Sequence, residues 1–360
     1  MTSLSPLEVA TDALSDRGHI DLLRGLVAIP STSGDEAEAV AYLCRAMAAR
    51  GFDAAPDAAG SAVGTIGNGP RHIVLLGHLD TVPGDIPVRI DDGVLHGRGA
   101  VDAKGPLATF VAAAAAAAKR GNVKITVVGA VGEETIGSPG ATAVASWPAP
   151  SFCVIGEPSG WDAVCLGYRG TLSLTYRLRQ QGRHTAGPGE SVAERSVAFW
   201  NAVAAECATR NRAATSTFTS IGPALRGMWT DSDGLMDEAR LSVGLRLPPG
   251  VDINHLLLRL RDLAGDAELT VEGQQPGYRS DKRSPLVPPF MRGIRGAGGT
   301  PRFTVKLGTS DMTVVGPAWE CPIVAYGPGD ASLDHTPEER IVLDEYLAAI
   351  RVLTDVLVAL

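Results

Sequence analysis

The sequence predicts an α/β protein: a mostly parallel, buried mixed sheet flanked by helices, interrupted once by an α+β module. Three observations carry this. Short, uniformly apolar runs recur in the outer parts of the chain, at residues 72–77, 123–128, 152–155 and 322–325, as strands buried on both faces do. Helical stretches separate several of them, which implies parallel strands joined by crossovers. Between residues 168 and 273 the strands instead alternate apolar and polar residues, the pattern of a sheet with one wet face.

Taken in order, residues 4–50 read as helical, with Leu22, Leu23, Leu26 and Val27 on one face. A second helix is expected after the turn Ser33-Gly34-Asp35-Glu36, with Ser33 as N-cap and Glu36 three residues on. Strands follow at 72–77, 123–128 and 152–155. Between the first two lies an alanine-dominated stretch, 107–120, which predicts a slim helix that packs close to a sheet. In the module, residues 171–178, 240–247 and 268–272 read as strands and 191–209 and 253–263 as helices; Pro248-Pro249-Gly250 is a strong stop. The chain then returns to a helix, the strand at 322–325, a loop and a closing helix at 343–360. The expected division is 1–167 and 274–360 for the outer domain, and 168–273 for the inserted one.

At 360 residues the chain exceeds one comfortable core, which agrees with two domains. The longest apolar run, 110–118, is half of the roughly 18 residues a membrane span needs. No basic segment followed by an apolar core opens the chain, so a cytoplasmic protein is expected. The cysteines, Cys44, Cys153, Cys165, Cys207 and Cys321, are scattered and odd in number, and read as reduced thiols. A net charge of −8 argues against a nucleic-acid partner, which would need a basic footprint.

The chemistry sits at the ends of the apolar runs, where ligands bind in open α/β sheets. His78 and Asp80, in Gly77-His78-Leu79-Asp80, follow the first strand and face the same way if the chain is extended. His78 is a candidate metal ligand with Asp80 orienting its ring; a strand-end histidine capped by an aspartate is the alternative. Asp102 lies in the glycine-rich stretch 97–105 and can offer both oxygens to two cations; Lys104 beside it reads as a solvated surface charge. Glu133 and Glu134 follow the second strand, and adjacent carboxylates there require something positive nearby, unless they simply open a helix. Glu157 follows the third strand and His335 the fourth. Each alone is weak. Together, two histidines and three carboxylates suit zinc, cobalt or manganese, with two ions about 3.5 Å apart.

The motifs GHLDTVP, GRGAVDAKGPLA, GEETIGSPGA, IGEPS and DHTPEE resemble, in order and spacing, those of the acetylornithine deacetylase, succinyl-diaminopimelate desuccinylase, aminoacylase and glutamate carboxypeptidase family. The resemblance runs from about Asp21 to the end. It implies a zinc-exopeptidase-like catalytic domain with an inserted lid and dimerisation domain. It implies two divalent ions, zinc first and cobalt second: His78 and Glu157 on one, Glu134 and His335 on the other, Asp102 on both. Glu133 would be the general base and Asp80 would orient His78. His184, in Gln181-Gly182-Arg183-His184-Thr185-Ala186, would stabilise the oxyanion from the partner subunit of a homodimer, although its flanking residues depart from the family's usual form. Arg246 would grip a substrate carboxylate, and Gly308, Thr309 and Ser310 would line the pocket.

Within that family, GRGAVDAKGPLATF, LGYRGTLSL, KLGTSDMTVV and AYGPGDASLDHTPEE resemble most the amino-group carrier protein lysine/ornithine hydrolases of lysine and arginine biosynthesis. These release lysine or ornithine from a carrier protein's terminal glutamate side chain. The alternative is a deacetylase or desuccinylase of a small N-acyl amino acid such as N-acetylornithine. Arg169, Arg177, Arg179 and Arg183, in a stretch without acidic residues, form a candidate docking face for an acidic carrier; solvated arginines on a sheet are the other reading.

Overall fold

A computed structural model describes residues 13–184 and 187–360. The expected helical start at residues 4–12 and the pair Thr185-Ala186 lie outside the described residues. The chain divides into two compact units: one built from residues up to Gly167 with Ser280–Val305 and Ser310–Leu360, the other from Tyr168–Arg279 with Lys306–Thr309.

The core of the first unit is a mixed sheet whose four central strands are parallel. In spatial order these are Val123–Ala130, Arg71–His78, Phe152–Gly156 and Ile323–Ala325. Antiparallel strands extend it on either side: Ala62–Ile66 and Asp53–Pro56 on one, Ala163–Tyr168 on the other. The central strands are buried along nearly their whole length, which is why they read as continuous apolar runs. The register pairs His78 with Ala130 and Gly77 with Gly156. The residues that follow each strand are thereby delivered to one edge of the sheet.

The helix Lys104–Ala118 is buried at almost every position, including five of its seven consecutive alanines. Small side chains let it lie close against the sheet on one side and the helix Leu343–Ala359 on the other. Its start is equally tight: a Cβ at Gly105 would lie 2.4 Å from the carbonyl oxygen of Ala100. A small antiparallel sheet places Val94–His96 between Arg89–Asp91 and Arg340–Val342.

The predicted capping box at Ser33 and Glu36 does not form. The helix runs Ala37–Ala48 with Glu36 at the cap position and no side-chain cap bond. Ser33 instead donates to Asp80 Oδ2 at 2.7 Å, and Glu36 accepts from the amides of Gly34 and Gly132. Two residues with local capping chemistry are used for long-range ties.

The second unit is a four-stranded antiparallel sheet in the order Gly222–Ser232, Met236–Leu247, Gly170–Gln181, Glu268–Gln275, with helices Val192–Arg210 and Ile253–Ala264. Leu172, Leu174, Tyr176 and Leu178 alternate inward and build its core; Tyr176 stacks on Phe199 with ring centroids 4.3 Å apart. Here the capping box does form, between Ser191 and Glu194. The edge strand Gly222–Ser232 is exposed along most of its length and lacks alternation, so it gives no sequence signal. Among the described residues no helix is long and apolar enough to cross a membrane, and no cysteine is paired.

Candidate metal centre

His78 ends its strand and is almost fully buried. Its Nδ1 lies 3.0 Å from the main-chain carbonyl of Asp80 and 3.5 Å from Asp80 Oδ1. A ring that donates through Nδ1 turns Nε2 outward as a lone pair for a metal. Nε2 lies 3.3 Å from Asp102 Oδ1, yet among the described residues it makes no hydrogen bond of good geometry. The other oxygen, Asp102 Oδ2, lies 3.0 Å from His335 Nε2, which is also 2.8 Å from Glu134 Oε1. The two oxygens of Asp102 therefore face two different imidazoles, the arrangement a bridging carboxylate requires. Asp102, Glu134 and His335 bring ligand atoms within 4.8 Å of one another. Glu157, buried, follows the strand that pairs with the His78 strand.

The backbone supports this convergence. His335 adopts φ +62°, a left-handed conformation uncommon for a residue with a Cβ but tolerated by histidine. Asp80 does more than orient His78. Its carboxylate also accepts from the amides of Glu133 and Glu134, both at 2.9 Å, and from Ser33. It fixes the turn that presents both glutamates.

The electrostatics call for cations. Burial opposes charge on His78, yet the carboxylates of Asp102 and Asp80 beside it hold the imidazole well above its usual pKa. Asp102 and Glu134 push His335 up to about 10. Burial works to raise Asp80, but its bonds to His78 bring it down to about 2. The same contest, won by His335 and His78, holds Asp102 below the usual carboxylate range. Glu133 shows the opposite: desolvation drives its pKa well up, Asp311, Glu157 and Glu134 add to the rise, and His78 opposes it. The residue is largely covered, and other carboxyls crowd its own. An imidazole and carboxylate set with so little balancing positive charge fits divalent ions, which would displace the protons these histidines otherwise hold.

Lys104 departs from the sequence reading, and Asp311 is a buried acid to which that reading gave no role. Lys104 is not a solvated charge: it is buried, donates to the carbonyl of Ile29 at 2.6 Å, and burial lowers its pKa to about 8. Asp311 is buried with neither carboxyl oxygen in a hydrogen bond of good geometry among the described residues, and burial pushes it up to about 7. Ser310 beside it is buried too, its hydroxyl accepting from the amide of Met312.

The remaining candidates belong to the second unit. His184 is exposed in the loop after the strand Gly170–Gln181, its carbonyl accepting from Gly187. Arg246 is half-buried, and burial together with nearby Arg226 depresses its guanidinium pKa. Gly308 and Thr309 lie in the short segment Lys306–Thr309. The proposed docking arginines separate into different environments. Arg169 is buried and donates to the carbonyls of Ser220 and Arg246, so it is no docking group. Arg183 folds onto the carbonyls of Pro188 and Gly189. Arg177 and Arg179 share Glu238 with Arg240, an acid contributed from the neighbouring strand and so invisible in the arginine stretch itself.

Comparison with known proteins agrees with this architecture. The profile of peptidase family M20/M25/M40 matches residues 74–359. A Deinococcus radiodurans protein named LysW-lysine hydrolase is 45% identical, over 94% of this chain and 96% of its own. A Sulfurisphaera tokodaii protein named LysW-lysine/LysW-ornithine hydrolase is 30% identical, over 94% of each chain. Among solved structures, a Staphylococcus aureus tripeptidase superposes with a TM-score of 0.78 at 20% identity, covering 96% of this chain and 98% of that one.

Proposed function

The chain belongs to peptidase family M20/M25/M40, and on that premise we propose that it is a two-metal amidohydrolase that releases lysine or ornithine from the terminal glutamate side chain of an amino-group carrier protein. The observation that carries the metal reading is the divided carboxylate of Asp102, with His78 at 3.3 Å from one oxygen and His335 at 3.0 Å from the other. The substrate follows from the relatives named LysW-lysine and LysW-ornithine hydrolases.

In this reading His78 and Glu157 hold one ion, Glu134 and His335 the other, and Asp102 both. Zinc is proposed first and cobalt second. The bound ions supply Lewis-acid polarisation of the scissile carbonyl and a more acidic water. Glu133 takes a proton from the attacking water and passes it to the leaving amine, a role suited to a carboxyl whose pKa its surroundings raise. His184, from the partner subunit of a homodimer, donates a hydrogen bond to the oxyanion of the tetrahedral intermediate. Arg246 binds the substrate carboxylate; its depressed guanidinium beside Arg226 favours an anion there. Gly308, Thr309 and Ser310 line the pocket. The enzyme works in the cytoplasm, in lysine or arginine biosynthesis or a related route.

The test is amine release from metal-stripped protein restored with zinc or cobalt, on two substrates. One is lysine linked through its α-amine to the γ-carboxylate of a carrier protein's terminal glutamate; the other is N-acetylornithine. Metal-dependent release from the first alone is expected. Release from the second alone would make this a small-molecule deacylase.

A further inference from the structure

We infer that Glu339 is a positioning residue that holds the bridging carboxylate in register with the His335 loop; this rests on the proposed metal roles of Asp102 and His335. Glu339 is almost completely buried. Its Oε1 accepts from the amides of Val101 and Asp102, both at 2.9 Å. Its Oε2 accepts from the amide of Gly99 at 3.0 Å and from Arg98 Nη1 at 2.9 Å. Three amides of one short loop therefore converge on a single side chain, and one of them belongs to Asp102 itself.

An ionised carboxylate offers about four lone-pair sites, and here four donors occupy them. Glu339 has no acceptor capacity left for a metal ion, so its part is played through the loop it grips. A concave run of backbone amides binds an anion, and the chain supplies that anion internally. The neighbouring Glu338, with its side chain 77% exposed, has no such environment.

The other end of the tie is short. Glu339 lies four residues beyond His335, and its carbonyl accepts from the amide of Gly97 at 3.3 Å. The strand that follows, Arg340–Val342, pairs with Val94–His96. Arg98 closes the loop: the same Nη1 that meets Glu339 donates to the carbonyl of Thr336, next to His335, at 3.1 Å, and its Nε donates to Gly84. Asp102 must present one oxygen to His78 and the other to His335, and these ligands come from segments far apart in the chain. Glu339 sets the backbone of one against the backbone of the other.

The test uses the full chain, titrated with cobalt after metal removal. Affinity and stoichiometry are followed by visible absorption, and folding by melting of the metal-free protein. Glu339→Gln keeps the shape but turns an amide N–H group toward donors. It should weaken cobalt binding about 10–100-fold and alter the absorption bands, since changing a group that orients a ligand has effects of that size. Glu338→Gln should leave both unchanged. Wild-type affinity and spectrum in Glu339→Gln would overturn the inference. If that variant does not fold, Arg98→Met, which removes one of the four donors and the tie to Thr336, takes its place: weakened binding supports the inference and unchanged binding overturns it. Asp102→Asn separates the two levels. Full cobalt binding in that variant would sink the metal reading itself, whereas its loss alongside normal binding by Glu339→Gln would sink only the role of Glu339.

Discussion

Glu133 and Glu238 have opposite surroundings. Glu133, in the first unit, is crowded by Asp311, Glu157 and Glu134, with His78 as the opposing charge, and its pKa is driven well up. Glu238, in the second unit, has Arg177 at 2.8 Å, Arg179 at 3.2 Å and Arg240 at 2.6 Å. Its pKa falls to about 2, through the bond from Arg177 first and then Arg240. Charge that a fold neutralises from its own side chains is structural; charge gathered without enough counter-charge is held for a ligand.

The sharpest way to break that contrast is at Glu133. Glu133→Gln should retain its metal ions and lose turnover by about 10³-fold, within the range for removal of a positioned base. Metal analysis alongside steady-state rates checks it. A metal-loaded variant with near-wild-type turnover would remove Glu133 from the chemistry.

Lys104 offers a buried cation for comparison. Its folded pKa of about 8 lies below the unfolded value of 10.5. Between those values the unfolded chain binds more protons, so stability rises with pH across that window. Below pH 8 the lysine is charged in both states and its desolvation cost is constant. Lys104→Met should abolish this slope. The stability difference between the metal-free proteins should shift by about 3 kcal/mol at most across the window, by order of magnitude. Denaturant titrations from pH 7.5 to 10 measure it, and parallel curves for the two proteins would show that the ammonium is not desolvated.

Glu238→Gln should have the smallest effect. The folded pKa is depressed, so the stabilisation is present above the unfolded value of about 4.5 and fades as pH falls toward 2. The Glu238 side chain is only 18% exposed, but the arginines paired with it are 38–55% exposed, so water and salt reach these ion pairs. The difference between wild type and variant should therefore be small at pH 7, shrink in about 1 M salt and vanish in acid. A salt-independent loss would mean the cluster is not the screened surface group its exposure indicates.

The legible parts of this molecule share a physical cause. The four central strands are buried on both faces, so they stand out as apolar runs. The polar residues that end them, His78, Glu133, Glu134 and Glu157, are conspicuous against that background. Burial of a single charge leaves no local trace. Lys104 and Arg169 look like any surface cation in sequence, and only the carbonyls of Ile29, Ser220 and Arg246 distinguish them. Long-range ties are equally hidden. Ser33 and Glu36 carry a helix-cap signature yet bond to Asp80 and Gly132, and Glu339 is just one more acid in a loop motif until its four donors are seen. The edge strand Gly222–Ser232 is missed because neither of its faces is consistently apolar.

The strand order bears on how the protein is made. Phe152–Gly156 sits between Arg71–His78, synthesised before it, and Ile323–Ala325, synthesised long after. At about 5–20 residues per second, roughly ten to thirty seconds pass before that second neighbour is made. Throughout that interval an apolar strand holds an open edge, a template for pairing with other chains. The continuous stretch Tyr168–Arg279, which makes up nearly all of the second unit, is by then already out and has its own core. The first unit must wait for the last quarter of the chain before its sheet closes and His335 arrives. Nascent chains stalled before that point are the form of this protein most in need of a chaperone.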